Sequence, residues 1–332
     1  MCESIANWAK HCENYSIDTI YLGGGTPSLL GGDRLCQMLA QIQTVFSVQP
    51  DAEITVECNP DSIDAHLLER LNAAGVNRLS IGVQSAKNAE LRTLGRRHTF
   101  QQAENAIQLA YQYGFSNISL DLMYGLPEQT LNKVLDSIQS LLAFTPAHLS
   151  CYGLKLEENT PLWRKNPLLP DDDLQADMYF AICERLKEAG YLHYEISNWA
   201  KPGFASRHNS RYWNLSEYLG IGPSAHSFFG GKRFAYHRDF DQFLMGLPPC
   251  LEETVAGFSP ALEYLMLALR TANGIQPDEF EARFSVSFTP FLQRLQFFQP
   301  HGLTMLQNGH WRLTKQGFLL SNTILADILS AV

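Results

Sequence analysis

Glu57, Gln84, Arg96 and Asp121 are polar side chains that each fall at or soon after the end of a short apolar run. The run Gly23-Gly24-Gly25-Thr26, after Ile20-Tyr21-Leu22, shares that position. Only glycine tolerates positive φ without strain and lets another group approach the bare backbone closely. Three glycines between a strand and a helix therefore describe either a tight turn or a loop built around a ligand. The side chains supply complementary chemistry for one ligand bearing an amine, a carboxylate and hydroxyls. Glu57 suits the amine, Arg96 the carboxylate and Asp121 a ribose diol. Each has a plainer reading: a strand-end carboxylate caps the next helix, and an arginine pairs with a surface acid. The ligand reading gains weight because the residues fall at the same end of successive strands, where parallel α/β barrels build their sites.

A second constellation is Ser206-Arg207-His208-Asn209-Ser210-Arg211-Tyr212-Trp213, read as a loop. His208 amid aromatics and arginines has the chemistry to ligate heme iron, with the arginines facing propionates. The competing reading is a histidine hydrogen-bonded inside a packed loop, and His226 carries the same ambiguity. The seven cysteines, at 2, 12, 36, 58, 151, 183 and 250, include no C-x2-C or C-x3-C pair. They read as reduced thiols and give no local support to a zinc or iron–sulfur site.

The elements that must position these residues alternate in type. Strands are expected at Asp18–Leu22, Glu53–Cys58, Arg78–Val83, Asn117–Met123, His148–Tyr152 and Tyr191–Ile196. Helices between them carry apolar faces such as Leu35, Leu39, Ile42, Phe46 and Leu131, Leu135, Ile138, Leu142. Gly75, Gly114 and Gly190 stand where helices should stop. Strand–helix alternation implies parallel strands joined by right-handed crossovers, as a barrel or partial barrel. Residues 200–227, rich in glycine, proline and aromatics, read as an ordered functional loop region. From about residue 257, helices at Pro260–Thr271, Pro277–Phe284 and Pro290–Phe298 precede a hairpin turning at Gln307-Asn308-Gly309, and a last helix runs to Ala331. Three helices and a small hairpin resemble a winged helix. The expected organisation is a barrel over 1–200, a connecting and heme-loop region over 201–256, and a small terminal domain over 257–332.

Composition excludes several classes. A net charge of -9 argues against a general nucleic-acid or acidic-membrane binder. The terminal domain balances five basic residues (Arg270, Arg283, Arg294, Arg312, Lys315) with five acidic ones (Glu263, Asp278, Glu279, Glu281, Asp327), which disfavours DNA contact by the wing. No apolar run is long enough to span a membrane, and the first fifteen residues lack a signal peptide's apolar centre. A cytoplasmic protein is expected.

Taken together, the phrases Gly-Gly-Gly-Thr-Pro-Ser at 23–28, Glu-Cys-Asn-Pro at 57–60, Leu-Ser-Ile-Gly-Val-Gln-Ser at 79–85 and Leu-Gly-Arg at 94–96 form an ordered set. Asp-Leu-Met-Tyr-Gly-Leu-Pro at 121–127, Tyr-Glu-Ile-Ser-Asn-Trp-Ala-Lys-Pro-Gly at 194–203 and His-Asn-x-x-Tyr-Trp at 208–213 continue it. With these phrases the chain resembles, over nearly its whole length, the HemW family of heme chaperones within the radical S-adenosylmethionine (SAM) superfamily. That family is also described as oxygen-independent coproporphyrinogen III oxidase-like. The resemblance implies a partial (β/α)6 TIM-like barrel and a small terminal domain of HemN type. It implies that Gly23, Gly24, Gly25 and Thr26 face the methionine end of SAM, that Glu57, Gln84, Arg96 and Asp121 are further SAM contacts, and that His208 is the heme histidine. Heme and heme-acceptor proteins are the implied partners. The alternatives are a coproporphyrinogen III oxidase of porphyrin biosynthesis, or a cluster-less heme- or SAM-binding remnant, so whether the chain is an enzyme stays open.

The sequence departs from the family at one point. The family carries C-x3-C-x2-C on a loop after its first strand, holding a [4Fe–4S] cluster, and no such phrase occurs here. Aligned with the family, Cys2 and Cys12 fall in the helix that follows that loop, so a barrel missing its first strand is expected. Either the sequence is a piece of a longer protein or it is a cluster-less descendant. The first is the expectation, because the SAM-facing residues are intact.

Overall fold

Polar and apolar residues alternate along the central strands, and this alternation divides the sheet into two unlike faces. The structure, a computed structural model, describes residues 1–251 and 259–330. Its main sheet has seven strands: β1 (Ser16–Leu22), β2 (Ser47–Cys58), β3 (Arg78–Gln84), β4 (Ile118–Tyr124), β5 (His148–Gly153), β6 (Leu192–Glu195) and β7 (Asn198–Ala200). Their order is β1-β2-β3-β4-β5-β7-β6, with β1 to β5 parallel and in sequence. Along these strands Ile54, Val56, Leu79, Ile81, Leu120, Leu122, Leu149 and Cys151 are buried. The intervening positions carry Thr55, Glu57, Arg78, Ser80, Ser119, Asp121, His148 and Ser150. Successive strand side chains point to opposite faces, so the first set packs under helices and the second lines the concave side of a curled half-barrel. β1 is an edge strand, paired with β2.

The crossover helices start on side-chain caps. Asp64 Oδ1 accepts from Leu67 N at 2.7 Å, Asp171 Oδ1 from Leu174 N at 2.9 Å, and Thr99 and Gln102 form a reciprocal capping box. Their stops are uniform. Gly75, Gly114 and Gly190 have φ of 83°, 87° and 84°, and the residue after each donates to a carbonyl five positions back: Val76 to Leu71, Phe115 to Ala110 and Tyr191 to Leu186. This Schellman geometry turns the chain directly from helix into the next strand.

Several expectations need correction. β2 begins at Ser47 rather than Glu53, because Ser47 and Val48 pair with Ser16 and Ile17. Beside β5 lies β7, antiparallel, and not a sixth parallel strand. Ile196 and Ser197 alone separate β6 from β7, far too few residues for a crossover. The 131–142 helix buries Val134, Ser137, Ile138 and Leu141, one position away from the expected stripe. Residues 207–213 form a helix rather than a loop, with the Ser206 hydroxyl accepting from Asn209 N at 3.2 Å. Cys2 opens the first helix, Cys2–Ala9, while Cys12 lies beyond its end.

The described chain forms two compact units. One is residues Ala9–His193 with Ser197–Ala205; the other is Met1–Trp8, Tyr194–Ile196 and the described part of Ser206–Val332. In the second unit β8 (His226–Phe229), β9 (Lys232–Ala235) and β10 (Cys250–Leu251) form an antiparallel sheet of order β10-β9-β8. Trp8 stacks on Phe234 with ring centroids 5.2 Å apart. Helices Pro260–Ala268, Pro277–Phe284 and Thr289–Phe298 close on Phe280, Phe288 and Phe291. β11 (Thr304–Gln307) and β12 (His310–Leu313) make the wing-like hairpin, with Asn308 and Gly309 at φ 51° and 80°, as a type I′ turn requires. The expected last helix is two, Lys315–Leu319 and Ser321–Leu329. The expected 256/257 boundary and the helix end at Ala331 lie outside the described residues.

Gly190 has open space where a Cβ would stand, so backbone strain is the only cost of adding one. Gly190→Ala is expected to lower stability by about 1 kcal/mol. Urea unfolding followed by circular dichroism checks this; an unchanged midpoint would show that the turn relaxes at no cost.

Candidate functional site

At the carboxyl end of β1, the glycine run meets the end of β2. The Glu57 carboxylate accepts from the Tyr21 hydroxyl at 2.7 Å and from the Gly24 amide at 3.0 Å, one bond on each oxygen. Gly23 is required by close approach, since a Cβ there would stand 2.4 Å from a Tyr21 ring carbon and 3.0 Å from Glu57 Oε1. Gly24 and Gly25 are required by conformation instead, with φ of 81° and 76° and no heavy atom within 4 Å of where a Cβ would stand. Burial and the Glu57 charge push the Tyr21 hydroxyl far above its ordinary range, so it stays a donor to the carboxylate.

The neighbouring residues knit the rim together. Asn59 Nδ2 donates to Thr26 Oγ1 at 3.0 Å, and its backbone amide donates to Ser28 Oγ at 3.2 Å. Gln84 ends β3 in the left-handed region, at φ 70°, where the pairing of β3 with β4 slips between Ile81 and Gln84. This bulge folds the Gln84 side chain back over Gly82. A Cβ on Gly82 would lie 2.8 Å from Gln84 Nε2 and 3.6 Å from Asn59 Oδ1. A non-glycine residue held at positive φ stores strain that the surrounding bulge must sustain.

Arg96 is placed by a helix stop. The helix Asn88–Thr93 ends with Gly95 at φ 70°, Gly95 N donating to Arg92 O at 3.0 Å and Arg96 N to Leu91 O at 2.9 Å. Two residues on, buried His98 bonds the Val83 carbonyl at 3.2 Å, tying this segment to the end of β3. Burial holds the His98 ring below its usual titration range. Among the described residues, no hydrogen bond or ion pair joins Arg96 to Glu57, Gln84 or Asp121.

Asp121 lies inside the half-barrel on β4. Burial pushes its carboxyl up to about 6; the Ser150 hydroxyl, the Arg78 guanidinium and Ser80, whose Oγ stands 3.4 Å from Oδ1, pull the other way, while the Glu57 charge adds to the rise. Arg78, only 2% exposed, is the cation that Asp121, Tyr21 and His148 all feel. Strand-end reasoning missed Tyr21, Arg78, Ser80, His148 and Ser150. For the last four the signal was the period-two recurrence of polar residues on adjacent strands, Arg78-x-Ser80, Ser119-x-Asp121 and His148-x-Ser150. Ser85, the residue after Gln84, is buried and donates to Glu90 Oε2 at 2.5 Å, which also accepts from Gln129 Nε2 at 3.0 Å.

In the second unit His208 sits on the helix Arg207–Trp213, its Nε2 2.8 Å from the Tyr212 hydroxyl. Tyr212 packs edge-on against Tyr218, centroids 4.6 Å apart. Arg207 and Arg211 are likewise one helical turn apart. Among the described residues, no group of three His, Cys, Asp or Glu side chains is placed to hold a metal ion. Cys12, Cys58, Cys151 and Cys183 are buried, with burial pushing Cys58 up to about 12. The residues present therefore do not fit an iron–sulfur cluster. No helix among them is long and apolar enough to cross a membrane.

The raised Asp121 value has a signed consequence. Its folded state favours the protonated form, so the stability it contributes is complete below about 4 and is lost as pH rises through about 6. Asp121→Asn is expected to stabilise the protein at pH 7.5 by on the order of 2 kcal/mol, and by much less at pH 4.5. Paired urea titrations at the two pH values measure this; an equal difference at both would contradict the assignment.

The Radical SAM superfamily model matches residues 2–141, and the HemN C-terminal domain model matches 260–320. A curated relative from Lactococcus lactis subsp. lactis (strain IL1403), the heme chaperone HemW, is 34% identical over 98% of this chain and 88% of its own length. The proteins of the same name from Escherichia coli (strain K12) and Bacillus subtilis (strain 168) are 34% and 35% identical, covering 99% and 94% of this chain and 89% and 86% of theirs. Among solved structures, coproporphyrinogen III oxidase (HemN) from Escherichia coli, a radical SAM enzyme, superposes with a TM-score of 0.83, covering 99% of this chain and 82% of that one. At 20% identity that likeness speaks for the fold alone.

Proposed function

The chain belongs to the HemW family, and on that premise we propose that it binds heme and passes it to acceptor proteins in the cytoplasm. The observation that carries the reading is the helix Arg207–Trp213, which sets His208 one turn from Tyr212 and Arg207 one turn from Arg211. In this reading a His208 ring nitrogen ligates the heme iron, exchanging its bond to the Tyr212 hydroxyl for the metal. Arg207 and Arg211 are the nearest cations in sequence for the two propionates. Residues 201–256 then form the connecting and heme-loop region, between a barrel over 1–200 and a terminal domain over 257–332.

We further propose that the half-barrel rim binds SAM. Gly24 and Gly25 leave open space beside the backbone for a methionine end, Gly23 and Thr26 are assigned to the same loop facing it, and Glu57 is the anion for its amine. Gln84, Arg96 and Asp121 are assigned as the further contacts, with Asp121 on the ribose diol. When bound beside a reducing cluster, SAM supplies radical chemistry. The cysteines of this chain do not form such a cluster site, so no electron-transfer step is assigned to them.

Heme titration followed by the absorbance of the bound species tests the first proposal. His208→Ala is expected to weaken binding at least tenfold and change the ligand-field spectrum, with Tyr212→Phe altering affinity much less. An unchanged spectrum and affinity in His208→Ala would remove that ligand. Anaerobic incubation with coproporphyrinogen III and SAM separates the chaperone from an oxidase: conversion to protoporphyrinogen would sink the chaperone reading. Equilibrium dialysis of SAM against Glu57→Gln checks the rim, with a weakening of about tenfold or more expected from loss of one charged partner.

A further inference from the structure

The second unit also sets a nucleophile beside a base, and neither the heme reading nor the SAM reading uses them. Cys250 opens β10 and is exposed; its Sγ lies 3.2 Å from Nε2 of half-buried His237 and 3.8 Å from Nδ1. Backbone contacts set both residues in place. Cys250 pairs with Ala235 on β9, and His237 stands two residues past Ala235 with its carbonyl accepting from Ser224 N at 3.1 Å. Alternate residues of an extended chain share a face, which brings the imidazole to the side that Cys250 occupies.

The other cysteines are differently placed. Cys12, Cys58, Cys151 and Cys183 are buried, and Cys2 and Cys36 are half-buried. The Cys36 thiol donates to the Arg70 carbonyl at 3.1 Å, and burial pushes it up. Among the described residues, Cys250 is thus the one exposed cysteine, and it has a histidine against its sulfur. Two ligands are too few to hold a metal ion, and among the described residues no third His, Cys, Asp or Glu joins them. A thiol with a base at hydrogen-bond distance is instead the arrangement of an activated nucleophile. A neutral imidazole carries one proton, so one ring nitrogen is bare in either tautomer. Both nitrogens lie within 3.8 Å of the sulfur, and a base therefore faces the thiol either way.

We infer that Cys250 is a site of thiol–disulfide exchange with low-molecular-weight disulfides, and that His237 takes the thiol proton. In that step the Cys250 sulfur attacks one sulfur of the disulfide while its proton passes to the imidazole. A new S–S bond forms and the old one breaks, its electron pair leaving on the departing sulfur. The proton then goes from His237 to that sulfur or to water. Cys250 is oxidised and the departing sulfur reduced, so the disulfide itself is the only oxidant required. The product is a mixed disulfide that a small thiol reverses by the same route. Neither heme nor SAM enters this step.

Stopped-flow mixing of the full chain with dithiobis(nitrobenzoate), an aromatic disulfide whose released thiolate absorbs in the visible, follows the exchange directly. A fast phase is expected in the wild type, lost in Cys250→Ser and slowed about tenfold or more in His237→Gln. A fast phase kept in Cys250→Ser, or a wild-type rate in folded His237→Gln, would overturn the inference. Dithiodipyridine, an uncharged disulfide, separates proton transfer from attraction of an anion. Equal slowing with both reagents is expected; slowing confined to the anionic one would show that His237 acts by charge, and the base role falls. Circular dichroism melts establish which variants are folded, and His237→Asn replaces the glutamine variant if that one is not. One arm needs no variant: with limiting reagent, peptide mass spectrometry of the wild type is expected to find the adduct on Cys250, and an adduct first on another cysteine would refute the assignment.

Discussion

A curled parallel sheet must satisfy every polar group that it buries on its concave face. Here that face holds two carboxylates, Glu57 and Asp121, near the buried guanidinium of Arg78. Tyr21 remains protonated and His148 neutral, so the net charge inside stays low. The remaining positions are Thr55, Ser80, Ser119 and Ser150, small enough to fit between neighbouring strands and able both to give and to accept. An isolated buried charge would cost several kcal/mol. The hydroxyl ladders and Arg78 are what let Asp121 lie inside the sheet with its carboxyl raised no further than about 6. The convex face carries none of this burden, being lined with Ile, Val and Leu packed under the crossover helices.

The rim depends on the same sheet through backbone geometry. Gly23 is excluded from bearing a side chain by the Tyr21–Glu57 bond, Gly24 and Gly25 by their positive φ, and Gly82 by the returning amide of Gln84. Gln84 reaches that place only because β3 bulges against β4. Arg96 occupies its position because Gly95 ends a helix in the left-handed region and His98 pins the segment to β3. Each rim residue is thus held by a bond or turn belonging to another element. Glu57 and Gly24 share a direct hydrogen bond, as do Asn59 and Thr26, whereas Gln84, Arg96 and Asp121 are set in place by the sheet and its turns rather than by one another.

Much of this was legible along the chain. Gly75, Gly114 and Gly190 marked helix stops because a single residue at positive φ leaves a local signature that no packing is needed to reveal. The Asn308-Gly309 hairpin was legible for the same reason. Harder to read were elements whose form depends on neighbours. Residues 47–52 became strand because β1 lies alongside, and Asn198–Ala200 because β5 offered an open edge. The 131–142 helix turned its face by one position, toward Val134 and Leu141, since tertiary packing chooses among several nearly apolar stripes. Ser206–Trp213, read as a loop for its polar and aromatic mixture, is a helix held by the Ser206 cap.

By itself, the sequence determined the alternation of elements, the residues at the strand ends and the family to which those phrases belong, because local conformation and residue order are properties of the chain. Which polar residues face each other was decided only by the tertiary structure. Glu57 meets Gly24 across thirty-three residues, and His148 meets Ser119 across twenty-nine. Strand register and sheet curvature create those contacts, and neither has a marker in the sequence. The strand-end rim was therefore visible from the residues, whereas the polar ladder beneath Asp121 emerged only when β3, β4 and β5 were laid side by side.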